Sequence, residues 1–502
     1  MKRTLPIRTA LGLTLIGLCV SSGGDALAQR SNQRRSRSQA KQGSSQVRSM
    51  VRQGNLKGAV NSLNASSSAA AHLARAAIMD RMGLHFVALS ERVEAGYKSS
   101  THKVLSEIGD SALALGRYET ASQLATFWIG KGANSLTWPA SFRMALAAHE
   151  LRLGNLLGAA RWIPRREQLM QIADPSVRLK AFTAASGILY GLNRPSQALS
   201  ILGANFNKVP NKDMGFIYLQ RARIYFDVKR YSSALDELLM LPKTSPSWFD
   251  GTIVGAWAAY HVDDLNLTLG QLMNVHNPYL MNKFRPESYL LEAATLYRLC
   301  YFDSASRSIK KLREKYQPMV NDVRRLQNMS GDAILSQALR FSAGKTDVPS
   351  GFERKNWPAL MDGILGQPQV SELDQGLAQI RREEILSRSL EGASASRAER
   401  EFSDAKQEFM RFGAGYARNR VNRMQQEIAE SLEGVLSVEV EVNTRLRERL
   451  VTGKTGVRKE IDFDKELEKG YEFWPFEGEF WRDETGGYAF ATSNVCADNE
   501  VL

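Results

Sequence analysis

Three cysteines and six histidines are all that 502 residues contain. So few thiols exclude a disulfide-rich scaffold and any cysteine-built zinc module. His72, His85, His102, His149, His261 and His276 show no metal-ligand spacing, and no His-Glu-x-x-His helix is present. No Gly-x-Ser-x-Gly elbow occurs either. Gly453-Lys454-Thr455 ends like a phosphate loop, but Glu448 stands where its first glycine is needed and no strand precedes it. Carboxylate pairs such as Glu383-Glu384 fall on a solvated helix face. The sequence thus offers no catalytic, cofactor-binding or metal-ligating residues. A lysozyme-like transglycosylase, which can follow a helical superhelix, would need a compact domain after residue 367, and that region reads as extended helix. Acidic residues are also in deficit, giving a net charge of +13. That balance favours acidic proteins or anionic envelope surfaces over nucleic acid, given the leader described next.

No stretch beyond the first thirty residues is apolar enough to span a membrane. Those thirty read as a secretory leader: Lys2, Arg3 and Arg8, an apolar run from Ala10 to Val20, then Ala26-Leu27-Ala28 at a cleavage site. Residues 1–28 are therefore expected to be a signal peptide, with a retained anchor, or a lipoprotein at Cys19, as alternatives. Export predicts a periplasmic or outer-membrane-associated protein. It leaves Cys300 and Cys496, which are free to form one bridge or to stay as two thiols. Residues 29–46 are Ser-, Gln- and Arg-rich and predict a disordered basic linker.

From 47 to 318 a pattern recurs about every 35 residues. A turn residue is followed two positions on by an apolar or ring residue, and five positions on usually by a small one. The instances are Gly54-Leu56-Ala59, Leu84-Phe86-Leu89, Gly116-Tyr118-Ala121, Gly154-Leu156-Ala159, Asn193-Pro195-Ala198, Lys229-Tyr231-Ala234, Asp263-Leu265-Thr268 and Cys300-Phe302-Ala305. Each unit would be two antiparallel helices, with the turn residue relieving a positive φ and the small residue letting helices approach. Seven positions before the turn stand Ala77, Gly109, Ala147, Ser186, Ala222, Ala256 and Ala293, where first helices cross. Period and placement resemble the tetratricopeptide repeat. The resemblance implies an all-α, right-handed solenoid that binds partner proteins in a groove lined by the first helices.

Asn321 to Ala343 predicts one helix capping the stack, within a capping region of 319–343, followed by a linker over 344–366. Residues 367–452 predict long helices or a coiled coil. Phe402, Phe409 and Tyr416 step by sevens, and Val421, Ile428, Val435 and Val442 resume that step after a skip of five. Gly413 and Gly415 mark the expected break. The partner of this seam is the chain's own 369–390 helix, a second copy in a homodimer or another envelope protein, or else a single long helix lies on the solenoid. Residues 453–502 form an aromatic module. Phe480-Trp481-Arg482 and Tyr488-Ala489-Phe490-Ala491 flank Gly486-Gly487, which predicts a small β-hairpin. Phe473, Trp474, Phe476, Phe480, Trp481 and Tyr488 are either packing rings or a docking peptide. The run Phe473-Trp474-Pro475-Phe476-Glu477-Gly478-Glu479-Phe480-Trp481-Arg482-Asp483-Glu484 with a terminal cysteine resembles the ends of repeat proteins in the myxobacterial adventurous gliding-motility envelope complex. That likeness implies a periplasmic scaffold with envelope-protein partners.

Overall fold

The computed structural model describes residues 37–203, 211–452, 468 and 478–496. The leader at 1–28, Cys19, Pro210 and the rings Phe473, Trp474 and Phe476 lie outside the described residues, as does Gly453-Lys454-Thr455. Among the described residues every regular element is helical. The fold is all-α, a solenoid of successive helical hairpins.

Eight helical hairpins succeed one another: α1 (Arg37–Arg52) with α2 (Leu56–Leu63), α3 (Ala69–Arg81) with α4 (His85–Lys98), α5 (His102–Leu115) with α6 (Tyr118–Gly130), and α7 (Ala140–Arg152) with α8 (Leu156–Trp162). After the short α9 (Arg166–Leu169) come α10 (Pro175–Gly191) with α11 (Pro195–Leu202), α12 (Asn211–Asp227) with α13 (Tyr231–Leu239), α14 (Trp248–His261) with α15 (Leu265–Val275), and α16 (Glu287–Arg298) with α17 (Phe302–Tyr316). Then follow α18 (Met319–Gln327), α19 (Gly331–Ser342), α20 (Trp357–Leu365), α21 (Pro368–Ser387) and α22 (Gly392–Thr452). Helix α1 begins inside the segment 29–46 that composition assigns to a linker.

The chain forms two compact units: α1–α11 with α21 and α22 up to Gly413, and α12–α20 with α22 from Ala414 and the C-terminal segment.

The hairpin turns are left-handed in backbone. Gly54, Gly116 and Gly154 have φ of 78°, 72° and 78°, and Asn193, Lys229, Asp263 and Cys300 have φ of 59°, 62°, 69° and 62°. In the second hairpin the positive φ belongs to Gly83, at 76°, not to Leu84. The expected register is one residue late there, because Leu84 and Phe86 imitate the apolar spacing. The residue seven before Gly83 is Ala76, which is buried, whereas Ala77 points outward. Gly109, Ala147, Ser186, Ala222, Ala256 and Ala293 are all buried at helix crossings. At Gly109 the approach is backbone on backbone: a Cβ there would lie 2.2 Å from the amide nitrogen of Phe142. The small residue five after each turn is buried as well; in the second hairpin this is Ala88.

In the first unit, α7 is buried on every side from Ser141 to Ala148, and α10 nearly so from Ser176 to Ser186. The Lys180 ammonium of α10 reaches across to the last carbonyls of α5, at 3.3 Å from Leu113 and 3.0 Å from Ala114. First helices of successive hairpins therefore close on one another here. No face of α7 stays open between Ser141 and Ala148, so the groove expected along the first helices is closed over that stretch.

Three further boundaries differ from expectation. The cap over 319–343 is two helices, because Ser330 accepts from the Ala333 amide and starts α19 afresh. The region 344–366 holds α20, whose Trp357, Leu360, Met361 and Ile364 are buried. The loop before it is tied down by the buried Asp322 carboxylate, which accepts from Asn356 Nδ2 at 2.8 Å and from Arg325. Helix α22 has no break at Gly413 or Gly415. Its buried stripe runs Phe402, Ala405, Phe409, Gly413, Ala417, Val421, Met424 and Ile428. Four successive four-residue steps, from Ala405 to Val421, absorb the phase shift without interrupting the helix, and Ala417 rather than Tyr416 occupies the seam. This seam packs within the chain: Phe409 sits edge-on to Phe86 at 6.0 Å in the first unit. In the second unit Met424 lies against Gly363 and Leu290 against Gly434. The face proposed for a dimer is thereby covered.

Candidate peptide-binding site

Helix α15 starts at the Asp264 cap, whose carboxylate accepts from the Leu267 amide at 2.9 Å. Asn266, Gly270 and Asn274 then fall four residues apart and share one face. Residues 488–495 lie along that face without regular secondary structure, after a turn that ends at Gly487. Asn266 grips a single residue twice: its Nδ2 donates to the Thr492 carbonyl, and its Oδ1 accepts from the Thr492 amide, both at 3.1 Å. A side-chain amide here takes the place of a neighbouring strand. Asn274, which is 3% exposed, repeats the grip two turns later. Its Oδ1 accepts from Gly486 at 2.7 Å, and its Nδ2 donates to the Tyr488 carbonyl at 3.2 Å and to the Gly270 carbonyl at 2.9 Å.

Gly270 lies between the two asparagines, and a Cβ on it would stand 3.2 Å from Ala489 Cα and 3.3 Å from the Phe490 nitrogen. Its missing side chain lets the segment lie against the helix backbone. Fully buried Asn277 donates to Thr485 Oγ1 at 3.0 Å. The Tyr301 hydroxyl accepts from Thr492 Oγ1 at 2.7 Å and donates to the Ser493 carbonyl at 3.1 Å. The Val495 amide donates to the Leu299 carbonyl at 3.3 Å, and its side chain is buried. At the far end Cys300 and Cys496 form a disulfide with 5.0 Å between Cα atoms.

The expected β-hairpin is absent from this segment: residues 478–496 contain no strand. What joins Trp481 to Tyr488 is the Tyr488 hydroxyl, 2.7 Å from the Trp481 amide and 3.0 Å from its carbonyl. Phe480 stands edge-on to Tyr488 at 5.5 Å. Of the predicted docking rings, Phe480 and Tyr488 are half-buried, and Trp481 is 39% exposed, as is Phe490. Asn266, Gly270, Asn274 and Asn277 were missed by the sequence reading. The four-residue spacing of Asn266, Gly270 and Asn274 is legible in the sequence, but nothing in it names the segment they meet.

A second cluster belongs to the first unit. Arg117 donates to Glu401 at 3.0 Å and to Glu408, and Arg152 donates to Glu408 at 3.3 Å and lies 3.7 Å from Glu372. Two guanidinium groups thus face three carboxylates, all with little exposure. Burial pushes the Glu401 carboxyl up to about 7 against the opposing pull of Arg117. Nearby, buried Glu91 collects His72 at 2.7 Å, Arg75 at 3.0 Å and Arg397. Glu383 of α21 accepts from the Phe86 amide at 3.0 Å and so caps α4. These groups fix α21 and the start of α22 along the hairpin turns. Every charge has a structural partner. Among the described residues no three His, Cys, Asp or Glu side chains converge as a metal site.

No family model matches this chain, and no curated protein does. Among solved structures it is similar to the crystal structure of yeast Tom70, at 13% identity over 82% of this chain and 97% of that one, with a TM-score of 0.20.

Proposed function

We propose that this chain is an exported scaffold of the cell envelope that holds extended peptide segments on the outer face of a tetratricopeptide-type repeat. The observation that carries the binding half is the double amide grip of Asn266 and Asn274 on the main chain of Thr492, Gly486 and Tyr488. Such a grip reads backbone, so it accepts any segment with small residues where Gly270 makes its close approach. Support for export comes from the basic, apolar and small-residue order of positions 1–28. Support for service in a gliding-motility envelope complex comes from the aromatic-acidic run 473–484. Among the described residues no helix is long and apolar enough to cross a membrane.

The binding test uses full-length protein carrying Cys496→Ser, so that its own tail is not covalently held. A labelled synthetic peptide of residues 484–496, with serine for cysteine, is titrated in. Saturable binding is expected, weakened about tenfold or more by Asn266→Ala with Asn274→Ala. No binding, or binding indifferent to the asparagines, rejects this site. Export is tested by fractionation and N-terminal sequencing, with cleavage after Ala28 expected. A chain recovered in the cytoplasm with its N-terminus intact rejects it.

The charge of +13 favours one alternative, direct attachment to peptidoglycan or anionic lipid. Salt separates the two: attachment by charge is lost near physiological ionic strength, whereas the amide grip survives it.

A further inference from the structure

The α15 face is filled by the chain's own C-terminal segment, and the contacts that fill it are backbone-directed and end in one reversible covalent bond. We propose that this segment is an exchangeable occupant, and that with the Cys300–Cys496 bond open the face takes the same segment from a second copy of the chain. The inference rests on the reading of this face as an extended-peptide site.

Four observations support it. The occupant whose fit is shown in atomic detail is residues 485–496 of this sequence, so a second copy carries a matched ligand by construction. The contacts at the middle of the face are with main chain, at Gly270 with Tyr488, Ala489 and Phe490 and at half-exposed Asn266 with Thr492, so an identical segment can remake them. The attachment ends in a bond that thiol–disulfide exchange can break and remake. Twenty-five residues separate Thr452 from Gly478, a length of chain that spans at most about 90 Å when fully extended. The geometry of the exchange is head-to-tail: each body receives one tail and gives one, so it yields reciprocal dimers or open chains.

The chemistry balances. A dithiol reductant delivers two electrons and two protons to the Cys300 and Cys496 sulfurs and leaves as a cyclic disulfide. Reclosure of Cys300 on the second copy's cysteine is the reverse, with a low-molecular-weight disulfide accepting the electrons.

The test uses two full-length variants that both carry Cys19→Ser. One has Cys300→Ser and is isotopically heavy; the other has Cys496→Ser and is light. They are mixed in a glutathione redox buffer, and disulfide-linked peptides are mapped by mass. A crossed heavy–light dimer joined through Cys496 and Cys300 is expected to exceed the like-with-like dimers by about tenfold or more. It should fall about tenfold when the light copy carries Asn266→Ala with Asn274→Ala. Gly270→Val in the light copy should give the same loss, since its added side chain would stand where Tyr488, Ala489 and Phe490 of the arriving segment pass. Dimers in statistical proportion, or a crossed dimer indifferent to these changes, overturn the proposal. If the free peptide binds but no crossed dimer forms, the binding site stands and the exchange falls.

Discussion

A single methyl group separates two readings of helix α3. Ala76 sits at a helix crossing with 1% exposure, while its neighbour Ala77 faces solvent. Ala76→Leu should therefore cost about 1–3 kcal/mol through overpacking. Ala77→Leu should stay within about 0.5 kcal/mol of the parent. Urea unfolding of the two variants decides the register; equal losses would put Leu84 back at the turn. The same residue-scale logic shows why Gly109 tolerates nothing larger. A Cβ there lies inside contact distance of main-chain atoms of Phe142, and backbone cannot rotate away as a side chain can. The seven-residue offset from the turn was legible because it concerns atoms of one helix and its neighbour. Leu84 was misread because apolar spacing alone cannot distinguish Gly83-His85-Ala88 from Leu84-Phe86-Leu89.

Among the helical elements, the hairpin turn is the repeating device, and four of the eight turns place a residue other than glycine at positive φ. Lys229 and Asp263 hold a conformation that costs an L-residue roughly 1 kcal/mol. Lys229→Gly and Asp263→Gly should each raise stability by up to about 1 kcal/mol, offset in part by greater freedom of the unfolded chain. A rise in thermal midpoint checks this, and a fall would mean that the Lys229 or Asp263 side chain contributes more than the turn strain removes. Cys300 occupies the same left-handed position but is also one end of the disulfide, so glycine there would relieve the turn and lose the bridge. In α22 the element-scale lesson is the seam. Its skip of five invites a break at two glycines, yet a helix accommodates the shift by drifting its stripe, as the buried Gly413 and Ala417 show.

Whole-molecule behaviour turns on the ion cluster of the first unit. Arg117 and Arg152 cannot neutralise Glu372, Glu401 and Glu408 together, and burial raises the proton affinity of both Glu408 and Glu401, the latter to about 7. Its folded value lies above the ordinary value of 4.5, so the folded chain binds that proton more tightly. The resulting stability is fully present below about pH 4.5 and lost as pH rises through about 7. Glu401→Gln should flatten that fall. Thermal unfolding at about pH 5 and about pH 8 should show the variant losing less than the parent over that interval. An identical slope would assign the pH dependence to other groups. Asp250 in the second unit has the opposite sign. Burial alone would raise it, but Arg285 and Arg223 outweigh burial and hold it at about 2, so its contribution fades only in strong acid.

The sequence by itself determined the repeat. Period, left-handed turns and small crossing residues are properties of neighbouring segments, and each unit restates the same local constraint. It likewise declared the C-terminal region different in kind. Only the tertiary structure decided where α21, α22 and residues 485–496 come to rest. Asn266 and Thr492 are 226 positions apart, and Arg117 and Glu401 are 284 apart. A pair met once across such a distance leaves no period to read, since its geometry arises from the packing of everything between.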